Sequence, residues 1–337
     1  MFKTITKFIV VASAVLIAVA PIAQSHAANP IKLGYAKCAH CTPLSLVPEN
    51  AEGGAKIEAI SFNTGNDVLT ALMAKSIDVA QLTYLHYAIA LDRGFDVVAI
   101  SGQINGGSQI LVGNDLPVEP GNWAGLKALI AQYKSDKKPF RVAASRGNAQ
   151  DIHMRGAFAK HGIDINKDVQ FVNIPNPSDH VQALRRGEVE LITSVDPFAS
   201  QIRSLKAAKF FDYPYDQAAG KLTNLILTRS DVIASNPDGV AAIVKAIVKV
   251  NGMMMQDKAL FAQTIHKVTG LDLTIAADAV GNLYPDYAIH RKEALAVATM
   301  MRDLKYIGSD VSAKVEQHLD YRFLEQATGK SKNELGY

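Results

Sequence analysis

The order of sequence patterns predicts an α/β protein of two lobes, each built on a mostly parallel sheet flanked by helices. Short β-rich segments alternate with segments whose apolar residues recur at helical spacing, which is typical of parallel sheets covered by helices. The chain has 337 residues, whereas a single domain usually has roughly 100 to 200. A loop at residues 113–122 contains two prolines and separates two such α/β units. We therefore expect two lobes with a cleft between them.

The first 27 residues have the features of a secretory signal peptide. Lys3 and Lys7 precede an uncharged apolar run at residues 8–23, and Ser25 and Ala27 supply small side chains at a cleavage site. A membrane anchor is the alternative, but an apolar run of about 16 residues is short for a span. No cysteine directly follows the run, so we expect no lipid anchor. The sequence predicts an exported, soluble protein cleaved near Ala27.

Composition excludes several classes of protein. With 48% hydrophobic and 20% charged residues, the chain can bury a sizeable core, so it is neither disordered nor fibrous. Lys and Arg together number 35 and Asp and Glu 32, a formal net charge of +3, and signal-peptide cleavage would remove two of the lysines. A nearly neutral chain without a visible basic cluster has no electrostatic basis for binding nucleic acid.

The first α/β unit begins at Ile31 and is expected to form most of lobe one. Residues 67–75 carry apolar side chains at i, i+1, i+4 and i+5, which forms one stripe of a helix. The predicted strands lie at residues 31–36, 56–62, 77–80, 95–101 and 109–112, and the predicted helices at residues 67–75 and 84–93. The chain is then expected to cross to lobe two near Gly113.

The second unit has the same alternation. Its predicted helices lie at residues 123–134, 149–161 and 178–187, and its predicted strands at residues 140–144, 169–173 and 189–194. A strand-like segment follows at residues 222–228, and the pattern from Pro237 onward is helical, without strands. We expect this helical tail to cover lobe one. Lobe one is thus assigned to residues 28–113 and 216–337, and lobe two to residues 114–215.

Ligands of open α/β sheets bind at the carboxyl ends of the strands, and the loop at residues 146–151 is the most informative of these ends. Gly147 lets the backbone approach a ligand, and the N–H groups at the start of the next helix favour a sulfonate, carboxylate or nitrate group. The alternative is a plain cap formed by Asn148 and Asp151. Asp196 follows another predicted strand and could accept a hydrogen bond from a ligand, or be a surface turn residue.

The segment Cys38-Ala39-His40-Cys41 contains both cysteines of the chain. It is not a c-type haem site, which requires histidine directly after the second cysteine, and it lacks the thioredoxin-like context of a redox motif. Three possibilities stay open: a local disulfide that shapes the cleft, thiols that touch ligand or core, and a site for a soft metal. No motif of a zinc protease, an α/β-hydrolase, a P-loop or a dinucleotide site is present.

Several short motifs, in order, resemble those of a known family. In the first unit these are Phe62-Asn63-Thr64-Gly65, Ala71-Leu72 and Ile77-Asp78-Val79-Ala80. In the second unit they are the run from Arg141 to Asn148, then Val172-Asn173-Ile174-Pro175, Gly187-Glu188-Val189-Glu190 and Val195-Asp196-Pro197-Phe198-Ala199. This series resembles periplasmic solute-binding proteins of ABC importers, in the branch for sulfonates, taurine, nitrate and thiamine precursors. Tyr84, Asp196 and the cysteine segment depart from the family pattern.

The resemblance implies a type II periplasmic binding protein fold with the ligand cleft between the lobes. Tyr84 and Phe198 are candidates for apolar cleft walls, although aromatic residues near a sheet are more often core. The residues that we expect to bind the ligand are Cys38, His40, Cys41, Thr64, Gln81, Thr83, Tyr84, Asn105, Arg146, Asn148, Ala149, Gln150 and Asp196. We expect no catalytic residue, no cofactor and no bound metal.

The resemblance also implies a function. We expect a monomeric periplasmic receptor that captures a small organic anion, such as a sulfonate or taurine, for an inner-membrane ABC permease with its ATPase. The alternatives are a receptor for a pyrimidine or thiamine precursor, for nitrate, or for a metal complex. An alternative of another class is an enzyme related to thiamine-pyrimidine synthases. Those enzymes are not exported, so the signal peptide argues against it.

Overall fold

The computed structural model describes Met1 and residues 30–337. The predicted signal peptide and its cleavage site at Ala27 lie outside the described residues, apart from Met1. The strands are β1 (Ile31–Ala36), β2 (Ile57–Phe62), β3 (Val79–Thr83), β4 (Val97–Gly106), β5 (Ser108–Val112), β6 (Arg141–Ala144), β7 (Gln170–Asn173), β8 (Leu191–Val195), β9 (Lys209–Asp212), β10 (Asn224–Arg229) and β11 (Leu283–Asp286).

The helices cover both sheets and form most of the carboxyl-terminal third of the chain. They are α1 (Val47–Asn50), α2 (Gly65–Met73), α3 (Tyr84–Asp92), α4 (Trp123–Ser135), α5 (Ala149–Lys160), α6 (His180–Arg185), α7 (Phe198–Ser204), α8 (Ser230–Ser235), α9 (Pro237–Gln256), α10 (Lys258–Thr269), α11 (Leu273–Val280), α12 (Arg291–Asp303), α13 (Ser312–Gln317) and α14 (Arg322–Thr328). Among residues 30–337, no helix combines the length and apolar character that crossing a membrane requires.

Two sheets define the two lobes. Lobe one contains a six-stranded sheet in the order β11-β4-β10-β3-β1-β2, and lobe two contains a five-stranded sheet in the order β7-β6-β8-β5-β9. The predicted two-lobed α/β class is confirmed, but both sheets are mixed rather than mostly parallel. β1 pairs in parallel with β2 and β3, whereas β10 and β11 run antiparallel to their neighbours. In lobe two, β6 pairs in parallel with β7 and β8, and β5 is antiparallel to both of its neighbours.

Each sheet buries apolar side chains under its helices. In lobe one, a single cluster joins β1, β3, β4 and β10 with α2, α3, α9, α12 and the last helices of the chain. In lobe two, one cluster lies under α4 and α5 and a second lies on the opposite face under α6 and α7. β3, β4, β5 and β8 are buried along their whole length, as expected for central strands covered on both faces.

The chain leaves lobe one earlier than the sequence predicts. The sequence pattern places residues 109–112 in lobe one, but β5 pairs with β8 and β9 in lobe two. The crossing is therefore at Gly106 and Gly107, between β4 and β5, and not near Gly113. An apolar run of five residues shows that it is a buried strand, but it does not show which sheet contains its partners.

The carboxyl-terminal region also differs from the prediction, because it contains β11 within its helices. β11 pairs antiparallel with β4 at the edge of the lobe-one sheet. The strand includes Pro285, which cannot donate to a neighbouring strand and is tolerated at a sheet edge. A four-residue strand that contains proline has little periodicity of its own, which is why the helical pattern around it dominates the sequence.

Gly107 occupies a position that other residues cannot take without strain. Its φ is +86°, in the left-handed region, and a Cβ atom there would collide with the ring of His40. We expect Gly107→Ala to reduce the free energy of unfolding by about 1 to 3 kcal/mol more than Gly94→Ala. Gly94 has a similar φ of +79°, but no atom lies within 4 Å of the position that its Cβ would take. Gly94→Ala therefore measures the backbone strain of an alanine at positive φ without the collision.

Urea denaturation of the two variants measures this difference. Equal losses of stability in Gly107→Ala and Gly94→Ala would show that the contact between His40 and the crossing is not tight.

Candidate functional site

A small cavity lies between the lobes at the carboxyl ends of the strands. Its lining comes from residues 36–38, 40 and 41 at and after the end of β1, residues 63–65 after β2, residues 81–83 at the end of β3 and residues 148–150 at the start of α5, together with Pro177, Val195 and Phe198. The volume of the cavity is about 40 Å³, whereas a single water molecule needs about 10 to 15 Å³. The cavity therefore suits a ligand, or the head group of a ligand, of a few non-hydrogen atoms.

α2 begins at this cavity and is fixed there by a reciprocal cap. Thr64 Oγ1 accepts the N–H of Asp67 at 3.2 Å, and the Asp67 carboxylate accepts the N–H of Thr64 at 3.1 Å. The N–H of Gly65, the first residue of the helix, has no acceptor among the described residues. A Cβ at Gly65 would lie 2.7 Å from the His86 ring and 2.9 Å from Asn148 Oδ1, so only glycine fits between the lobes here.

α3 also begins at the cavity, and its cap uses a histidine. Thr83 Oγ1 accepts the N–H of His86 at 3.2 Å, while His86 Nδ1 lies 2.8 Å from Thr83 Oγ1. The N–H of Thr83 donates to the same Nδ1, so the proton of the ring is assigned to Nε2, which donates to Asn66 Oδ1 at 3.2 Å. Burial lowers the pKa of His86 to about 3. This histidine is therefore a neutral structural residue.

α5 brings the third helix N-terminus to the cavity, from lobe two. Asn148 is its N-cap residue, but its side chain makes no capping bond. The alternative capping pair of Asn148 and Asp151 does not form, because the Asp151 carboxylate accepts the N–H of Gly147 instead. The N–H groups of Ala149 and Gln150 have no acceptor among the described residues. These two N–H groups are available to a ligand.

The charges around the cavity favour an anion. Lys37 is the one charged residue among the lining residues in the described part of the chain, and no carboxylate lines the cavity there. His40 also lines it, but burial lowers the pKa of its ring to about 3, so it is neutral. Three helix N-termini, each with the positive end of its dipole near the cavity, add to the charge of Lys37.

Nine of the predicted ligand-binding residues line the cavity, although ligand contact itself stays a prediction. They are Cys38, His40, Cys41, Thr64, Gln81, Thr83, Asn148, Ala149 and Gln150. Gln81 is already engaged within the protein, since it accepts the N–H of Ala36 and donates to Asn224. Lys37, Asn63, Gly65 and Pro177 also line the cavity, although they are not among the residues predicted to bind the ligand. Asn63, Gly65 and Pro177 lie in loops after predicted strands, where the strand-end rule expects ligand contacts, and Lys37 directly follows the first predicted strand.

Three of the predicted residues point elsewhere. The Tyr84 hydroxyl is buried and accepts the N–H of His290 at 3.2 Å. Asn105 Oδ1 accepts the N–H groups of Thr223 and Asn224, which fastens β4 to the start of β10. The Arg146 guanidinium lies 4.8 Å from the centre of the Phe171 ring, outside the cavity. The structure gives these side chains packing roles that their positions after strands could not reveal.

Asp196 is not among the lining residues and instead joins the two lobes. Its buried carboxylate accepts hydrogen bonds from Gln109 at 2.8 Å and Ser200 at 2.9 Å in lobe two, and from Asn282 at 2.9 Å in lobe one. Its backbone carbonyl accepts the N–H of Ala39 at 2.7 Å. Burial raises the pKa of this carboxyl, and the bonds from Asn282 and Gln109 oppose that rise. The carboxylate oxygens accept these hydrogen bonds within the protein, and Asp196 is not part of the cavity lining.

The cysteine segment forms a disulfide between Cys38 and Cys41, whose Cα atoms are 5.0 Å apart. Of the three possibilities left open by the sequence, the local disulfide is therefore the state of the described structure. The two cysteines and His40 between them are all buried and line one wall of the cavity. The N–H of Cys41 donates to the carbonyl of Cys38 at 2.9 Å, so the segment is a tight turn.

Contacts outside the cavity hold the lobes together. Asn66 of α2 donates to the carbonyl of Arg146 in lobe two at 3.0 Å. Tyr306, which follows α12 in lobe one, donates its hydroxyl proton to Asp151 of α5 and accepts the N–H of Gly147 at 2.8 Å. Arg155 donates to the same Asp151 carboxylate at 2.8 Å. The lobes are thus closed on each other, with this Tyr306–Asp151 contact as an inter-lobe latch.

The fold is that of periplasmic binding proteins. The periplasmic nitrate-binding protein of Synechocystis PCC 6803 superimposes with a TM-score of 0.77 at 16% identity, over 91% of this chain and 90% of that one. The periplasmic aliphatic sulphonate binding protein of Escherichia coli gives 0.68 at 17% identity, over 86% and 92%. A zinc-bound ligand binding component of an ABC-type import system from Staphylococcus aureus gives 0.75 at 14% identity, over 89% and 99%. At these identities the likeness establishes the fold alone.

Sequence comparison gives the family. Among curated proteins, none matches the chain significantly. The model of the NMT1-like family matches residues 24–268, which is more than half of the chain, and this agrees with the branch that the sequence motifs resemble. The protein therefore belongs to the NMT1-like family.

Proposed function

We propose that this protein is the periplasmic substrate-binding component of an ABC importer and that it captures a small anion such as a sulfonate or nitrate. The observation that carries the proposal is the meeting of α2 and α5, from opposite lobes, at one cavity. Gly65 of α2 and Ala149 and Gln150 of α5 present N–H groups that have no acceptor among the described residues. Helix N-termini with free N–H groups bind anions.

An anion with several oxygens links ligand binding to lobe closure. A sulfonate or nitrate has three oxygens, so it can accept from α2 and α5 at the same time, whereas each helix alone offers only part of the site. Binding energy then favours the closed arrangement, because only that arrangement brings both helices within reach. This coupling is the property that a receptor needs if a permease is to distinguish its loaded state.

The remaining features of the proposal come from the family and the sequence. The small cavity favours a compact head group over a pyrimidine ring. Its described lining contains no carboxylate, and its two cysteines are joined in a disulfide, which favours binding over catalysis. The signal-peptide features of residues 1–27 support export to the periplasm, and an inner-membrane permease with its ATPase is the partner implied. The structural neighbours named above include nitrate- and sulphonate-binding proteins.

A thermal-shift panel with matched ligands tests the proposal. We expect ethanesulfonate, taurine or nitrate to raise the melting temperature, since a ligand at 100 times its Kd adds about 2.7 kcal/mol to the free energy of unfolding. Ethyl methyl sulfone is the control, because it has nearly the shape of ethanesulfonate but no charge. If the sulfone or simple ammonium ions stabilise the protein and no anion does, the proposal is wrong.

Two amide side chains test the contribution of lobe two. Asn148 and Gln150 are buried at the cavity, and neither side chain bonds to another described residue. We expect Asn148→Ala and Gln150→Ala each to weaken binding of the best anion by about 1 to 3 kcal/mol, the cost of one buried hydrogen bond, without reducing stability. Isothermal titration calorimetry measures this, with Asn176→Ala as the control.

Asn176 carries the same amide group but is exposed. If both cavity variants bind the anion with native affinity, or if Asn176→Ala loses as much affinity as they do, the side chains of Asn148 and Gln150 do not bind the ligand.

The inter-lobe latch gives a separate prediction, because Tyr306 lies outside the cavity lining. Tyr306→Phe removes the hydroxyl that joins Asp151 and Gly147, so the closed arrangement loses stability relative to an open one. We expect the Kd for the best anion to rise about tenfold, as for loss of one hydrogen bond to a charged group. Tyr287→Phe is the control, since the Tyr287 hydroxyl accepts a hydrogen bond from Lys330 within lobe one and makes no hydrogen bond to lobe two among the described residues. Unchanged affinity in Tyr306→Phe would show that this contact does not contribute to closure.

A further inference from the structure

Cys38, His40 and Cys41 form one wall of the cavity, and their sulfur and imidazole groups have no role in the anion binding proposed above. The two sulfurs and a ring nitrogen of His40 all lie within 4.8 Å of one another. All three residues are buried and line the cavity. Two cysteines and a histidine on one turn provide the ligand types that zinc and other thiophilic metal ions prefer.

His40 differs from every other buried histidine in the described residues. His86, His153 and His180 each have hydrogen-bond partners for both ring nitrogens. Within residues 30–337, His40 Nδ1 is buried without a hydrogen-bond partner. A buried polar atom without a partner costs free energy, so native structures nearly always satisfy such atoms. The local fold therefore does not explain why a histidine, rather than an apolar residue, occupies this position.

The disulfide determines whether the two sulfurs are available. In the described structure they are bonded to each other and cannot act as thiolate ligands. A dithiol reductant would supply two electrons and two protons by thiol–disulfide exchange, breaking the Sγ–Sγ bond and becoming a disulfide itself. Cys38 and Cys41 would then be thiols, each of which releases its proton when its sulfur binds a metal ion.

We propose that Cys38, His40 and Cys41 form a redox-gated site for a thiophilic metal ion such as Zn²⁺. The site is absent when the disulfide is formed and is created by its reduction. The turn supplies three protein ligands, and the fourth position of a tetrahedral ion stays open toward the cavity that the same residues line. This inference goes beyond the anion receptor proposed above and does not depend on it, because the N-termini of α2 and α5 contribute no ligand to the metal.

Zinc titration of the oxidised and the reduced protein tests the proposal. The protein, free of any histidine tag, is either left oxidised or reduced with a phosphine that is then removed under nitrogen. Calorimetry with Zn²⁺ gives stoichiometry and affinity, and Co²⁺ serves as a spectroscopic probe because its thiolate complexes absorb in the near ultraviolet. We expect about one ion per chain in the reduced protein, with thiolate-to-cobalt absorption, and no specific binding in the oxidised protein.

Variants assign the ligands. Cys41→Ser should abolish the thiolate absorption of the reduced state, and His40→Gln should weaken Zn²⁺ binding at least tenfold. Loss of an outer-shell partner alone costs roughly 10- to 100-fold, and loss of a direct ligand should cost no less. His266→Ala is the matched control, because His266 is an exposed histidine on α10 and should leave Zn²⁺ binding unchanged. His40→Gln decides the matter alone if Cys41→Ser does not fold.

The possible results separate this inference from the proposed function. Equal zinc binding by oxidised and reduced protein, equal binding by His40→Gln and wild type, or unfolding on reduction without recovery on adding Zn²⁺ would each overturn the metal site. The thermal-shift response of the oxidised protein to anions is measured independently of these results. Failure of the metal site would therefore leave the anion receptor standing, and the converse also holds.

Discussion

The buried carboxylate of Asp196 is the constraint on which the geometry between the lobes depends. A carboxylate removed from water is costly unless hydrogen bonds compensate it, and its donors here come from both lobes through Gln109, Ser200 and Asn282. The backbone of the same residue accepts the N–H of Ala39 and donates to the carbonyl of Gly107. One residue thus fixes both the crossing between the lobes and the turn that carries the disulfide, and this turn lines the cavity.

The ligand preference of the cavity depends on backbone N–H groups more than on side chains. The caps at Thr64 and Thr83 are satisfied within the protein, while α5 begins at Asn148 without a side-chain cap. The difference leaves the first N–H groups of α5 free at the point where lobe two meets Gly65 of lobe one. Closure of the lobes, assisted by Tyr306 outside the cavity, brings these groups together around a space with no carboxylate in its described lining.

Local features of this protein follow from its sequence, and long-range pairings do not. β1 lies at the predicted residues, and the loops after β1, β2 and β3 line the cavity as the strand-end rule predicts, because strand periodicity and helix caps depend on neighbouring residues. The lobe that contains β5 and the edge position of β11 depend on partners far along the chain. The contact of Tyr306 with Asp151 spans 155 residues, and no local pattern marks it. The position of Asp196 outside the cavity lining has the same cause, since its donors Gln109 and Asn282 are also distant along the chain.

The central claim is that an anion is held between the N-termini of α2 and α5, and a crystal structure of the protein with its most stabilising anion bound tests it most directly. The account predicts oxygens of the anion within about 2.7 to 3.2 Å of the backbone nitrogens of Ala149 and Gln150, with a further contact to Gly65 from the opposite lobe. An anion bound outside this cavity, or a ligand that places a cationic group against these N–H groups, would contradict it.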